Sequence, residues 1–211
     1  MTSANIVGNV YDKYGTRNPI ARKLMDGFLA AVSELYMKVR PARVLEVGCG
    51  EGRLAHHLIS LEHAPEQFDA CDLSLDKLAP GLDPRIHFSA ADVYRLPYQS
   101  RQFDLVVCCE VLEHLQVPER GLAELARVTS GWLLVSTPRE PLWRLLNLAR
   151  GHYLSDWGNT PGHVQHFSRS QLLRLLATQV APVEVRTPLP WTLVLGRKRE
   201  QSQTIAESAR E

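Results

Sequence analysis

Val44-Leu45-Glu46-Val47-Gly48-Cys49-Gly50-Glu51-Gly52-Arg53-Leu54 is the stretch that decides the fold. An apolar run ends in glycines at every second position, and a helical pattern starts at Arg53. The pattern predicts a buried strand over Arg43–Val47, a tight turn, and a helix over Arg53–Leu61. In an open α/β sheet such a turn lies at the carboxyl end of a strand, where ligands bind. Without side chains, Gly48, Gly50 and Gly52 let the backbone turn tightly and come close to a ligand. Two features restrict that ligand. The spacing is Gly-x-Gly-x-Gly, not the Gly-x-Gly-x-x-Gly of a dinucleotide site, and Glu46 stands just before the loop. A carboxylate there sits badly with a pyrophosphate and well with an ammonium or sulfonium group.

Outward from this turn, strand and helix signals alternate. Before it, residues 18–39 read as an amphipathic helix capped by Asn18, with Pro19 at its first position and Pro41 as its stop. After it come strands at Phe68–Asp72, Ile86–Ala90, Phe103–Cys109 and Trp132–Ser136, with helices at Leu75–Ala79 and Glu119–Val128. Runs such as Leu105-Val106-Val107-Cys108-Cys109 imply a parallel sheet covered on both faces. Beyond Pro138 lie an apolar helical patch (Leu142, Trp143, Leu145, Leu146, Leu148) and a turn-rich stretch, Gly158 to Gly162. A helix from Ser170 to Thr178 follows, with Ser168 as its N-cap. Val183–Thr187 and Trp191–Gly196 read as antiparallel strands joined by a short Pro-containing link.

The 211 residues, 45% hydrophobic and 22% charged, suit one globular domain and exclude wholesale disorder or a disulfide mini-scaffold. Four cysteines without a C-x-x-C pair argue against a zinc ribbon and for a reducing, cytoplasmic setting. The first nine residues lack the features of a signal peptide, and no apolar stretch is long enough to span a bilayer. The net charge of +1 argues against a dedicated nucleic-acid binder. It also conceals an uneven distribution. Residues 43–136 carry 8 basic and 14 acidic side chains, whereas 1–42 and 137–196 each carry 6 and 3. An acidic core favours a cationic ligand.

Two further acids follow the glycine turn. Asp72 ends the second strand, where a carboxylate can take both ribose hydroxyls. Asp92 follows the third, within reach of an adenine amino group. Either acid alone reads equally as a turn or cap residue; three at the ends of successive strands point to a nucleoside cofactor. With these residues in place, Val44–Leu54 resembles motif I of class I S-adenosylmethionine-dependent methyltransferases. Asp72-Leu73-Ser74, Asp92-Val93 with Leu96-Pro97, and Phe103–Val107 with Glu110-Val111-Leu112-Glu113-His114-Leu115 resemble the later motifs. The match runs over about residues 43–137 and is most similar to the small-molecule, quinone-biosynthesis (type 11) group.

The resemblance implies a Rossmann-like α/β three-layer sandwich whose mostly parallel seven-stranded sheet ends in an antiparallel hairpin. It implies one domain over 1–196: an N-terminal lid and helix (1–42), a cofactor core (43–137), an acceptor-side insert and helix (138–182), a hairpin (183–196), and a polar tail (197–211). S-adenosylmethionine is the implied cofactor. Glu46, Gly48, Cys49 and Gly50 then line its methionine part, Asp72 binds the ribose, and Leu73 and Val93 flank the adenine. Asp92 holds the adenine amino group, and Glu110 lies by the methionine end.

Methyl transfer from a sulfonium needs alignment, exclusion of water and, for some acceptors, a base, so no catalytic triad is expected. The acceptor is expected to be a small, apolar or aromatic molecule with an ionisable atom. Nucleic acid is disfavoured: Cys109-Glu110-Val111-Leu112 stands where amino-methylating nucleic-acid enzymes of this fold carry an Asn/Asp-Pro-Pro-Tyr/Phe loop, and no cysteine follows a proline. Tyr11, Tyr14, Trp143, Tyr153 and Trp157 are the acceptor-side candidates, and His163, His166 and His114 the candidate bases, since imidazoles titrate near neutral pH. A loop-capping role is an equal reading for each histidine. His152 lies in the same insert, while His56, His57 and His63 read as structural or exposed. No metal-ligand spacing stands out. The competing readings are a non-catalytic binder of the same cofactor and a nicotinamide-dependent oxidoreductase, the latter opposed by Glu46 and the glycine spacing.

Overall fold

The computed structural model describes residues 18–149, 151 and 153–199. Tyr11, Tyr14 and His152 therefore lie outside the described residues. A seven-stranded sheet in the order β3-β2-β1-β4-β5-β7-β6 forms the middle layer. Its strands are β1 (Arg43–Val47), β2 (Gln67–Asp72), β3 (Ile86–Ala90), β4 (Phe103–Cys109), β5 (Thr129–Pro138), β6 (Val180–Arg186) and β7 (Trp191–Lys198). β1 to β5 pair in parallel, and β7 runs antiparallel between β5 and β6.

Strand periodicity explains the two covered faces. Val44, Leu105, Val107, Leu134, Leu193 and Leu195 pack toward α1 (Pro19–Val39) and α2 (Arg53–Ile59). Leu45, Val47, Val106, Cys108, Leu133 and Val135 pack toward α3 (Pro118–Val128) and α5 (Arg169–Leu176). Successive side chains of one strand point to opposite faces, so a continuous apolar run requires cover on both. α1 begins as its sequence requires: the Asn18 side chain accepts from the Ile20 and Ala21 N–H groups, and Pro19 needs no donor. In α5, Ser168 and Gln171 form a reciprocal capping box.

Several expectations are corrected. Leu75–Ala79 holds a single turn, closed by the Leu78 N–H on Leu75 O, and not a helix. Pro80 disfavours helical backbone at the residue before it, Ser74 Oγ accepts the Asp76 N–H, and the Ala79 N–H leaves the segment to reach Glu51 O. β5 starts at Thr129, before Trp132, because it pairs with β4 from Phe103 onward. The hairpin spans 180–198 rather than 183–196, so Arg197 and Lys198 belong to β7 and not to a tail. The order of strands places the switch point between β1 and β4, whose following loops diverge at the carboxyl edge of the sheet. That edge carries the glycine turn and the segment after Cys109.

Candidate functional site

The turn after β1 is built around left-handed backbone. Gly48, Gly50 and Gly52 have φ values of +79°, +52° and +73°. Gly48 N–H and Cys49 N–H both donate to Cys71 O, which ties the turn to β2. Gly50 N–H donates to Asp72 Oδ2 at 2.8 Å, so the second strand's terminal carboxylate and the turn are one unit. Asp92 Oδ1 in turn accepts the Tyr94 N–H at 2.9 Å. Leu73, beside Asp72, is 51% exposed, while Val93 is buried in the core. An apolar side chain standing open next to a carboxylate fits the two halves of a nucleoside.

Glu46 is the unusual member. It is only 3% exposed, and its carboxylate accepts the Ala55 N–H in the first turn of α2, whose own cap, Gly52, has no side chain to offer. The other oxygen, Oε2, has no hydrogen-bond partner. Burial, helped by the charge of Asp72, pushes the Glu46 carboxyl up to about 8 against the opposing Ala55 N–H. A cation seated on the glycine turn would reverse this by favouring the ionised form.

The sign of the pH effect follows. Between the ordinary carboxyl value and about 8 the folded chain holds a proton that the unfolded chain has lost. Glu46 thus contributes stability that is full below its unfolded value and disappears as pH rises through about 8. Urea unfolding between pH 5 and 8 is expected to show that decline in the native sequence and a flatter profile in Glu46→Gln. Equal slopes would remove Glu46 as its source.

Cys49 and Cys71 are buried beside these acids, and burial raises both thiols, so neither is a reactive thiolate. Glu110 follows β4 with φ +61°, a strained position for a residue with a side chain. Its Oε1 accepts from Ser136 Oγ at 3.0 Å and its Oε2 from Trp191 Nε1 at 2.7 Å. Ring neighbours extend from there: Trp191 lies 5.0 Å from Phe28 and 5.9 Å from Trp143, and Trp143 stacks on His163 at 6.2 Å. His163 meets His114 edge-to-face at 4.9 Å. Trp143 is oriented by a 2.8 Å bond from its Nε1 to Thr160 Oγ1.

The structure brings His114 and His163 together and leaves His166 apart, 3.7 Å from the half-buried carboxyl of Glu140. Burial holds that carboxyl above its usual value. Tyr153 and Trp157 flank a short 3-10 turn; Trp157 is 76% exposed and contributes its carbonyl to Arg144 Nε. Glu113 was not foreseen as a site residue. It is buried, and one of its carboxylate oxygens lies with a nitrogen of His114 and of His163 in a group no wider than 4.8 Å. The available signal was the Glu110-Val111-Leu112-Glu113-His114 spacing; the third partner lies 49 residues further on and gives none.

A family model described as "Methyltransferase domain" matches residues 18–179. Norajmaline N-methyltransferase of Rauvolfia serpentina is 31% identical over 99 residues, which are 43% of this chain and 33% of that protein. Demethylmenaquinone methyltransferase of Beutenbergia cavernae is 29% identical over 161 residues, 73% of this chain and 65% of the relative. The chain therefore spans a third of the first relative and less than two thirds of the second. Magnesium protoporphyrin IX methyltransferase from Synechocystis PCC 6803, solved with bound SAH, superimposes with a TM-score of 0.65 at 16% identity, covering 92% of this chain and 91% of that one. That likeness is one of fold.

Proposed function

The chain belongs to the methyltransferase-domain family, and from that premise we propose that it transfers a methyl group from S-adenosylmethionine to a small, apolar or aromatic acceptor. The observation that carries this reading is the buried Glu46 carboxylate with one unpartnered oxygen, under a glycine turn joined to Asp72. These residues fit the cofactor. The orphaned oxygen suits its cationic methionine end, the missing side chain of Gly50, where a Cβ would meet nothing within 4 Å, leaves the turn uncovered, and open Leu73 suits a nucleoside base.

When bound, S-adenosylmethionine supplies a methyl group on sulfur that is already a leaving group. In our assignment Glu46, Cys49 and Gly50 line the methionine portion, and Asp72 accepts from the ribose hydroxyls. Leu73 and Val93 enclose the adenine, and Asp92 accepts from its amino group. Glu110, locked by Ser136 and Trp191, keeps the methyl end polar and oriented. With the cofactor so held, these residues would align its methyl group with the acceptor's lone pair for an in-line displacement that would leave the bonding electron pair on sulfur. An acceptor proton, where present, passes to the polar group at His114 and His163, or to His166. Trp143, Tyr153, Trp157, Tyr11 and Tyr14 are the proposed acceptor-side residues.

The partly buried Trp143 ring, stacked on His163 and backed by the core rings of Phe28 and Trp191, supports an apolar or aromatic acceptor with one ionisable atom. The relatives named for norajmaline and demethylmenaquinone point toward small molecules as well. No helix among the described residues is long and apolar enough to cross a membrane. We place the chain in the cytoplasm on the four unpaired thiols, three of them buried.

Calorimetry with S-adenosylhomocysteine and with NAD is the direct test, followed by transfer of labelled methyl to a panel of quinols and aromatic amines. S-adenosylhomocysteine is expected to bind and NAD not to. Binding of NAD alone would overturn the proposal, and cofactor binding without transfer to any small molecule would favour a non-catalytic binder.

A further inference from the structure

We infer that Glu113, His114 and His163 form a binding site for one divalent transition-metal ion at the acceptor side of the crevice. The use of that ion rests on the methyltransferase reading; its binding does not. One ligand atom from each residue lies within 4.8 Å of the others. Bonds of about 2.1 Å in a tetrahedral arrangement set the ligand atoms roughly 3.4 Å apart, so binding draws the group inward. The donor set is two imidazoles and a carboxylate. That combination selects zinc, cobalt or iron over magnesium or calcium, which take oxygen ligands.

Burial gives the second argument. Glu113 is 2% exposed and His163 9% exposed. A buried carboxylate and two imidazoles within one ion's reach form a donor set that an ion can hold without first drawing it out of solvent. Preorganisation is the third. Glu113 O accepts the N–H groups of both Val164 and Gln165, at 3.0 and 2.9 Å. His114 Nδ1 donates to Gly162 O at 2.9 Å, and Gln165 Nε2 donates to Leu115 O. The strand-end turn carrying two ligands is thus fastened directly to the loop carrying the third. A ligating histidine whose other nitrogen donates to a backbone carbonyl has its tautomer and ring plane set, which leaves Nε2 of His114 to face the ion.

Three protein ligands leave coordination positions open for a small molecule. The group adjoins Trp143, so the open positions lie beside the proposed acceptor side. There the ion would hold an acceptor hydroxyl or phenol and lower its pKa, and with His114 and His163 serving as ligands the released proton would pass to His166 or to water. The substrate class becomes narrower in consequence: an aromatic or apolar molecule that presents an oxygen able to bind a transition metal.

The test uses the full-length protein, stripped with a chelator and desalted, then titrated with Co²⁺ while visible absorption is followed. One equivalent is expected to produce ligand-field bands, with Zn²⁺ displacing it. Glu113→Gln and His163→Gln should each raise the Co²⁺ dissociation constant by at least about 10-fold. His87→Gln, on an exposed position of β3, should leave it unchanged. Calorimetry with S-adenosylhomocysteine on every variant reports the fold and the cofactor crevice separately. Absence of the bands in protein that still binds S-adenosylhomocysteine would overturn the metal site, as would Co²⁺ affinity unchanged from the native protein in the two ligand variants. Either result makes Glu113 and His163 a proton relay and leaves the methyltransferase reading intact. Failure to bind S-adenosylhomocysteine counts against that reading alone.

Discussion

Asp72→Ala is expected to lower the affinity for S-adenosylhomocysteine about 100-fold in a protein that remains folded. On the proposed assignment two ribose hydroxyls lose a charged acceptor, and hydrogen bonds to charged groups contribute about 1.5–3 kcal/mol each. A net loss of about 3 kcal/mol corresponds to roughly a hundredfold in the dissociation constant. Asp72 is half-buried at the end of β2 and has one oxygen committed to Gly50 N–H, so its removal also loosens the glycine turn. Asp72→Asn separates the effects, since an amide oxygen can still accept from Gly50 but carries no charge. Calorimetry with thermal melts distinguishes lost binding from lost structure. Unchanged affinity in folded Asp72→Ala would remove this residue from the cofactor site.

Gly48→Ala is expected to destabilise the fold by about 3 kcal/mol and to weaken cofactor binding with it. Two costs coincide. At φ +79° a residue with a Cβ is strained by about 1–3 kcal/mol, and the added carbon would collide with Val111 Cγ2, an overpacking of similar size. Gly50→Ala is the internal contrast. It shares the left-handed backbone, at φ +52°, but a Cβ there meets nothing within 4 Å, so only the strain remains. Urea unfolding should therefore place Gly50→Ala between the native protein and Gly48→Ala. Val111→Ala in the Gly48→Ala background should restore part of the difference. Equal stability for the two alanine variants would show that the collision is relieved without cost.

Much of the site was legible because its signals are local. Glycines that require positive φ, acids at the ends of apolar runs and a proline-capped helix each declare themselves within a few residues. Gly50 and Asp72 accordingly stand in hydrogen-bond contact, with the Asp72 charge acting on buried Glu46, as the spacing of strands and turns implies. Leu75–Ala79 shows the limit of local reading. Its apolar spacing suits a helix, but Pro80 and the pull of the Ala79 N–H to Glu51 leave only a single turn. The hairpin extends to Lys198 because pairing with β5 and β6 governs its length, whatever the polarity of Arg197 and Lys198.

The amino-acid sequence by itself determined the α/β architecture, the order of strands and helices up to these boundaries, and the acidic glycine turn. Periodicity and backbone demands act within one turn or one strand, so they are visible without coordinates. Tertiary structure alone decided which side chains meet at the proposed acceptor side. The locking of Glu110 by Trp191 crosses 81 residues, and the bond from His114 to Gly162 crosses 48. The convergence of Glu113, His114 and His163 depends likewise on the insert folding back onto the carboxyl edge of β4. Such contacts arise from packing between distant segments, and no spacing along the chain encodes them.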